Sequence, residues 1–238
     1  MNIVAIGGGE MKSGQTMAID RFVVDLTGKR SPRALFIPTA SGDALGYCDS
    51  FDQIYGGRLG CKTDRLLLLT STDDRKCMKE KIGQADIIYV GGGNTLRMMK
   101  FWRKLGVDRL LKKAGRRGTV LAGLSAGAIC WHAFGHSDSR KFAGAQGWSF
   151  IRVRALGFLP FTYCPHLDAE NRHDSFADMI LRRGDSGLAC DNNAAIWHDG
   201  DRSVVKTSRK RAAAYRYLRE DGQVVVQRYR DGETIDVD

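Results

Sequence analysis

Ser125 stands in "VLAGLSAGAICW" (residues 120–131), with Gly123 and Gly127 two places away on either side. Gly-x-Ser-x-Gly is the pattern of a nucleophile elbow, in which a strand turns sharply into a helix and presents the serine hydroxyl above the sheet. A serine hydroxyl is a poor nucleophile at neutral pH. It needs a base to take its proton and donors to hold the oxyanion that develops. A helix opening at "AGAICWHAF" (126–134) would aim the backbone N–H of Ala126 at the substrate carbonyl. A tight strand-to-helix turn that merely packs would carry the same short pattern, so the rest of the chain has to supply the base and the donors.

Two further stretches offer them. "VGGGNT" (90–95) follows another apolar run, and three consecutive glycines expose backbone N–H groups where a side chain would obstruct a ligand. It would complete an oxyanion hole or cradle a phosphate. Its spacing matches neither G-x-G-x-x-G nor a P-loop, which weakens the phosphate reading. Asn94 and Thr95, next to the glycines, are expected to contact the substrate. Of five histidines, His166 in "FTYCPHLD" (161–168) directly follows an apolar run and a proline, and is the candidate general base. A carboxylate should orient it. Asp138 in "GHSDSR" gives the chain order Ser, Asp, His, with a turn-capping aspartate as the alternative. Asp168, two residues past the histidine, is the rival.

The elements that would position these residues alternate. "NIVAI", "ALFIP", "RLLLL", "DIIYV" and "TVLAGL" read as buried strands, each running into glycine or small polar residues. Helix-compatible segments lie between them, including the long run "NTLRMMKFWRKLGVDRLLKKAG" (94–115). Strands alternating with helices predict an α/β fold: an open, mostly parallel sheet covered on both faces, with the binding crevice at the strands' carboxyl ends. The glycine-rich turns all fall at those ends. "RSVVKTS", "AAAYRYLRED" and "QVVVQRYRDG" predict a small C-terminal antiparallel β extension. No linker, repeat or low-complexity block divides the chain, so a single domain over 1–238 is expected.

Composition narrows the surroundings. The chain is 43% hydrophobic and 27% charged, as in soluble globular proteins. Its amino terminus lacks the basic and long apolar regions of a secretory signal, and no apolar run approaches the ~18 residues of a membrane helix. Six scattered cysteines without a C-x-x-C pair fit a cytoplasmic protein with reduced thiols. The net charge is +10, with basic clusters at 112–118 and 206–219. No nucleic-acid motif accompanies them, so a solvated basic surface that attracts acidic substrates is favoured over a nucleic-acid partner. No histidine–carboxylate cluster has metal-ligand spacing, and neither a metal nor another cofactor is implied. A homodimer is compatible with a pocket opening on a flat surface, though no residue marks an interface.

Taken together, "VGGGNT", "GLSAGA" and "PHLD" resemble, in order and spacing, the peptidase E and cyanophycinase family of serine peptidases. The likeness runs from "IGGGE" (6–10) to "DNNAAI" (191–196). It implies a sheet like that of class I glutamine amidotransferase domains, with serine in place of their cysteine. It implies Ser125 as nucleophile, His166 as base, and an oxyanion hole from Gly92 or Gly93 with Ala126. Peptidase E cleaves dipeptides with an amino-terminal aspartate, and cyanophycinase a polymer linked through aspartate, so a small acidic peptide is the expected substrate. Arg172 in "ENRHD" would bind its carboxylate, or lie exposed on a helix. An esterase on the same elbow and a non-catalytic binding module are the competing readings.

Overall fold

The glycine-ended apolar runs do become strands, and their burial shows why. In a computed structural model, which describes residues 1–70, 74–142, 144, 146–184, 186–200 and 202–236, the first half of the chain lays down five strands. These are β1 (Asn2–Ile6), β2 (Arg33–Ile37), β3 (Lys62–Arg65), β4 (Ile87–Val90) and β5 (Val120–Leu124). Between them run helices α1 (Met17–Asp25), α2 (Leu45–Phe51), α3 (Arg75–Gln84), α4 (Thr95–Leu105) and α5 (Val107–Arg116). Every residue of β4 and β5 is buried. Along β4, Ile88 and Val90 join one core cluster while Ile87 and Tyr89 join the other. That period-2 division, with both sides apolar, is what a sheet with helices on both faces requires.

The remaining elements are α6 (Ala126–Ile129), β6 (His132–Ser137), α7 (Ser139–Phe142), β7 (Ile151–Arg154), β8 (Leu159–Cys164), α8 (His173–Arg183) and β9 (Gly187–Cys190). Then come β10 (Ala194–Asp199), β11 (Arg202–Thr207), β12 (Ala214–Glu220), β13 (Gln223–Tyr229) and β14 (Thr234–Ile235). Two sheets result. The eight-stranded one has the order β14-β11-β10-β1-β5-β4-β2-β3. Its β1 to β5 are parallel to one another, and β10, β11 and β14 extend it antiparallel, as the C-terminal sequence predicts.

Four details differ from the sequence expectation. A second, six-stranded sheet (β13-β12-β9-β8-β6-β7) exists, and the C-terminal strands β12 and β13 belong to it rather than to the first. The elbow helix is only α6, four residues long, because the chain enters β6 at His132. The long helical run 94–115 is two helices, broken at Gly106, which adopts φ 75°. The strand expected at "RLLLL" also ends early, at Arg65; beyond it the amides of Leu69 and Thr70 turn to the Asp43 carboxylate instead of a strand partner.

The two sheets meet along β1. Tyr163 on β8 donates its hydroxyl proton to the Ala5 carbonyl at 3.1 Å, and Gly8 bridges to Asn192 just past β9. The carboxyl ends of β1, β4 and β5 in one sheet and of β8 and β9 in the other therefore converge.

Candidate active site

Ser125 follows β5 directly and holds φ 56°, ψ −111°, outside the conformations a serine ordinarily adopts. Strain of this kind costs on the order of 1–3 kcal/mol and persists only where the surroundings enforce it. The flanking glycines show what enforces it. A Cβ on Gly127 would lie 2.0 Å from the Val90 carbonyl oxygen, and one on Gly123 would lie 2.3 Å from the Gly127 oxygen. The turn is thus clamped between two strands with no room for side chains. The Ser125 amide donates to the Ile6 carbonyl at 3.0 Å, tying the elbow to β1 as well.

The donors lie beside it. Ala126 opens α6, so its amide has no intrahelical acceptor. Gly92 sits against Ser125: a Cβ on it would be 3.4 Å from the serine Cβ. The Gly92 amide donates to the Tyr47 hydroxyl at 3.4 Å and the Asn94 amide to the Ala40 carbonyl at 2.9 Å. Among the described residues the Gly93 amide has no acceptor. Gly92, Gly93 and Ser125 line one cavity of about 460 Å³.

His166, the candidate base, enters the same cavity from the other sheet. β8 and β9 are parallel neighbours, with Cys164 opposite Ala189, and each ends two residues before a polar side chain. His166 follows β8, Asn192 follows β9, and the His166 Nδ1–H donates to Asn192 Oδ1 at 2.7 Å. An amide oxygen only accepts, so the bond puts the proton on Nδ1 and leaves the Nε2 lone pair available for a serine proton. Gly8 makes room for the pair: its Cβ would stand 2.0 Å from Asn192 Oδ1 and 2.2 Å from His166 Nδ1. Among the described residues no hydrogen bond joins Ser125 to His166, though both face the cavity. Burial lowers the His166 pKa below its ordinary value, opposed by the Asn192 hydrogen bond and reinforced by the charge of Arg172. The shift favours the neutral imidazole, the form a general base needs.

Asn192 takes the place expected for Asp138. The physical reason is the strand order: parallel pairing of β8 with β9 delivers the loop after β9 to the histidine, whereas Asp138 leaves β6 on the other flank of β8. Asp138 lines the cavity but faces Arg172 at 3.8 Å. The rival, Asp168, accepts the Asn192 backbone N–H at 2.8 Å and so holds the partner of the base. Sequence reasoning missed Asn192. The available signal was its position in "DNNAAI", a polar cluster that ends an apolar run as the glycine clusters end theirs.

Arg172 is neither exposed nor at the cavity wall. It is 1% exposed, donates to Glu170 Oε2 through Nε (3.1 Å) and Nη2 (2.6 Å), and through Nη1 to the His136 carbonyl at 3.0 Å. Its carboxylate partners, Glu170 and Asp138, reach the cavity instead. Burial pushes the Glu170 carboxyl up, but the charge and hydrogen bonds of Arg172 more than offset this and leave it below its ordinary value. Asn94 and Thr95 are buried. Asn94 caps α4 by accepting the Arg97 amide at 3.0 Å, and neither residue is among those lining the cavity. Glu10 and Lys12 also line the cavity, and Lys12 carries the one ammonium among the described lining residues.

A strained serine at an elbow, unpaired amides beside it and an oriented imidazole are the parts that a hydrolase of the nucleophile-elbow class uses. The chain belongs to peptidase family S51, whose model matches residues 3–206, and it is a serine peptidase. It is 33% identical over 226 residues to the uncharacterized peptidase YgaJ of Bacillus subtilis (strain 168), covering 93% of this chain and 94% of that one. It is 28% identical to peptidase E of Salmonella arizonae over 142 residues, 59% of this chain and 57% of the other. The crystal structure of a peptidase from an acI-B1 Actinobacterium shares the fold, with a TM-score of 0.76 at 20% identity over 98% of this chain and 96% of that one. Among the described residues no helix is long and apolar enough to cross a membrane.

Proposed function

We propose that the protein hydrolyses small peptides, in particular dipeptides with an amino-terminal aspartate, through an acyl-enzyme on Ser125. The observation that carries this reading is the convergence of Ser125, the glycine turn and the His166–Asn192 pair on one cavity. The Ser125 oxygen attacks the peptide carbonyl while its proton passes to His166 Nε2, and the Gly93 and Ala126 amides hold the oxyanion. His166 then protonates the leaving amine, and water activated by the same imidazole releases the acid.

The charges of the cavity suit a substrate that is both anionic and cationic. Asp138, Glu170 and Glu10 would receive the free α-ammonium group, and Lys12 would receive a side-chain carboxylate. Arg172 then acts from behind by holding Glu170 and Asp138 in place. A panel of aspartyl dipeptides, other dipeptides and amino-terminally acetylated analogues tests the reading. Cleavage should require the free amino group, favour aspartate, and vanish in Ser125→Ala. Lys12→Met should raise KM for aspartyl substrates specifically. Equal rates on acetylated and free peptides, or turnover by Ser125→Ala, would contradict it.

A further inference from the structure

The Tyr47 side chain lines the cavity, and the mechanism above leaves it without a task. Tyr47 lies on α2, and its ring fills the space over the glycine turn: a Cβ on Gly91 would be 2.8 Å from Tyr47 Cε1. Phe36 packs edge-on against the ring at 4.9 Å between centroids, fixing its orientation. The hydroxyl therefore has little freedom. It accepts the Gly92 N–H at 3.4 Å, which engages one of the two glycine amides, Gly92 and Gly93, that the sequence offers for the oxyanion hole. Among the described residues the hydroxyl proton has no acceptor, and the residue lines the cavity together with Ser125.

We propose that the Tyr47 hydroxyl is a catalytic oxyanion donor, a side-chain member of the oxyanion hole beside the Gly93 and Ala126 amides. The inference rests on the serine-peptidase mechanism proposed above. When the Ser125 oxygen bonds to the carbonyl carbon, the π electrons move onto the carbonyl oxygen and the serine proton moves to His166 Nε2. The Tyr47 O–H donates a hydrogen bond to that oxygen and keeps its proton. Two observations support the role. Accepting from Gly92 polarises the hydroxyl, and hydrogen bonds in a chain strengthen one another. Burial pushes the phenol up to about 12 against the opposing bond from Gly92, so it stays protonated while the enzyme works. The Gly92 amide thus acts through Tyr47 rather than directly.

The test uses diethyl p-nitrophenyl phosphate, whose phosphoryl oxygen gains charge as the serine oxygen bonds to phosphorus and p-nitrophenolate leaves. Wild type should release one p-nitrophenolate per chain in a burst absent from Ser125→Ala. Tyr47→Phe keeps the ring packing and should keep the amplitude and the melting temperature, while the rate of the burst falls about 10²–10³-fold, as for loss of one oxyanion donor. Its half-saturating concentration should stay within a few-fold. Incorporating 3,5-difluorotyrosine at position 47, which retains a donor, should restore most of the rate and move its alkaline fall to lower pH. A Tyr47→Phe rate equal to or above wild type would overturn the proposal, as would a difluorotyrosine protein as slow as the Phe variant. No burst in wild type, or a burst that survives in Ser125→Ala, would instead overturn the serine mechanism and the Tyr47 role with it.

Discussion

The two flanks of the cavity are built on different principles. On the nucleophile flank the geometry is set by backbone: Gly127 is pressed against the Val90 carbonyl at the end of β4, Gly123 against the Gly127 carbonyl in α6, and Ser125 is strained because nothing there can yield. On the base flank it is set by side chains: Asn192 holds His166, Asp168 holds Asn192, and Arg172 holds Glu170 and Asp138. A backbone clamp is stiff and intolerant of added volume. A side-chain network can shift without unfolding the protein, and each member tunes charge as well as position. Fold and chemistry are thus coupled tightly on one flank and loosely on the other.

Substitutions should separate the two. Gly127→Ala drives a methyl group into the Val90 carbonyl and should lower stability by about 4 kcal/mol or more, read as a fall in the urea midpoint with activity lost alongside. The nearest atoms to a Gly8→Ala methyl belong to the His166 and Asn192 side chains, which can swing away. Its activity should fall at least about 100-fold while the urea midpoint moves much less. If the two variants lost stability equally, the contrast between the flanks would fail. Asn192→Ala leaves the Nδ1–H without its acceptor and frees the ring, and kcat should drop about 10²-fold with KM little changed.

Smaller effects sharpen the base flank. Because burial lowers the His166 pKa, the acidic limb of the kcat/KM profile should lie below the ordinary imidazole value of about 6.5. Asn192→Asp puts a negative charge at the ring, favours the cation, and should move that limb up by about one pH unit or more. Asp138→Asn should change kcat less than about threefold. Asp138 is the weakest of the charges that raise His166, so losing it should move the limb slightly down. A loss of the size expected for Asn192→Ala would return the orienting role to Asp138.

This contrast also explains what the chain reveals by itself. The parallel sheet, its glycine-ended strands and Ser125 are legible because each rests on local constraints: apolar runs of strand length, and turns whose crowding admits only glycine. The place of His166 at the cavity is legible from its position after a strand and a proline. Its partner was not, since Asn192 reaches it through the pairing of β8 with β9, a long-range choice that no local pattern encodes. For the same reason Arg172, four residues into a polar stretch, reads as a surface residue although the structure buries it among Glu170, Asp138 and the His136 carbonyl. The second sheet went unforeseen because its strands are brought together from β6 to β13 across the whole second half of the chain.

In the proposed mechanism Ser125 is an activated nucleophile whose proton goes to His166. Incubating wild type, His166→Ala and Ser125→Ala with diisopropyl fluorophosphate, then mapping adducts by mass spectrometry, tests it most directly. A single adduct is expected, on Ser125, forming at least about 10³-fold more slowly in His166→Ala and absent from Ser125→Ala, with all three proteins folded. An adduct on another residue, or labelling of Ser125 at the same rate without His166, would contradict it.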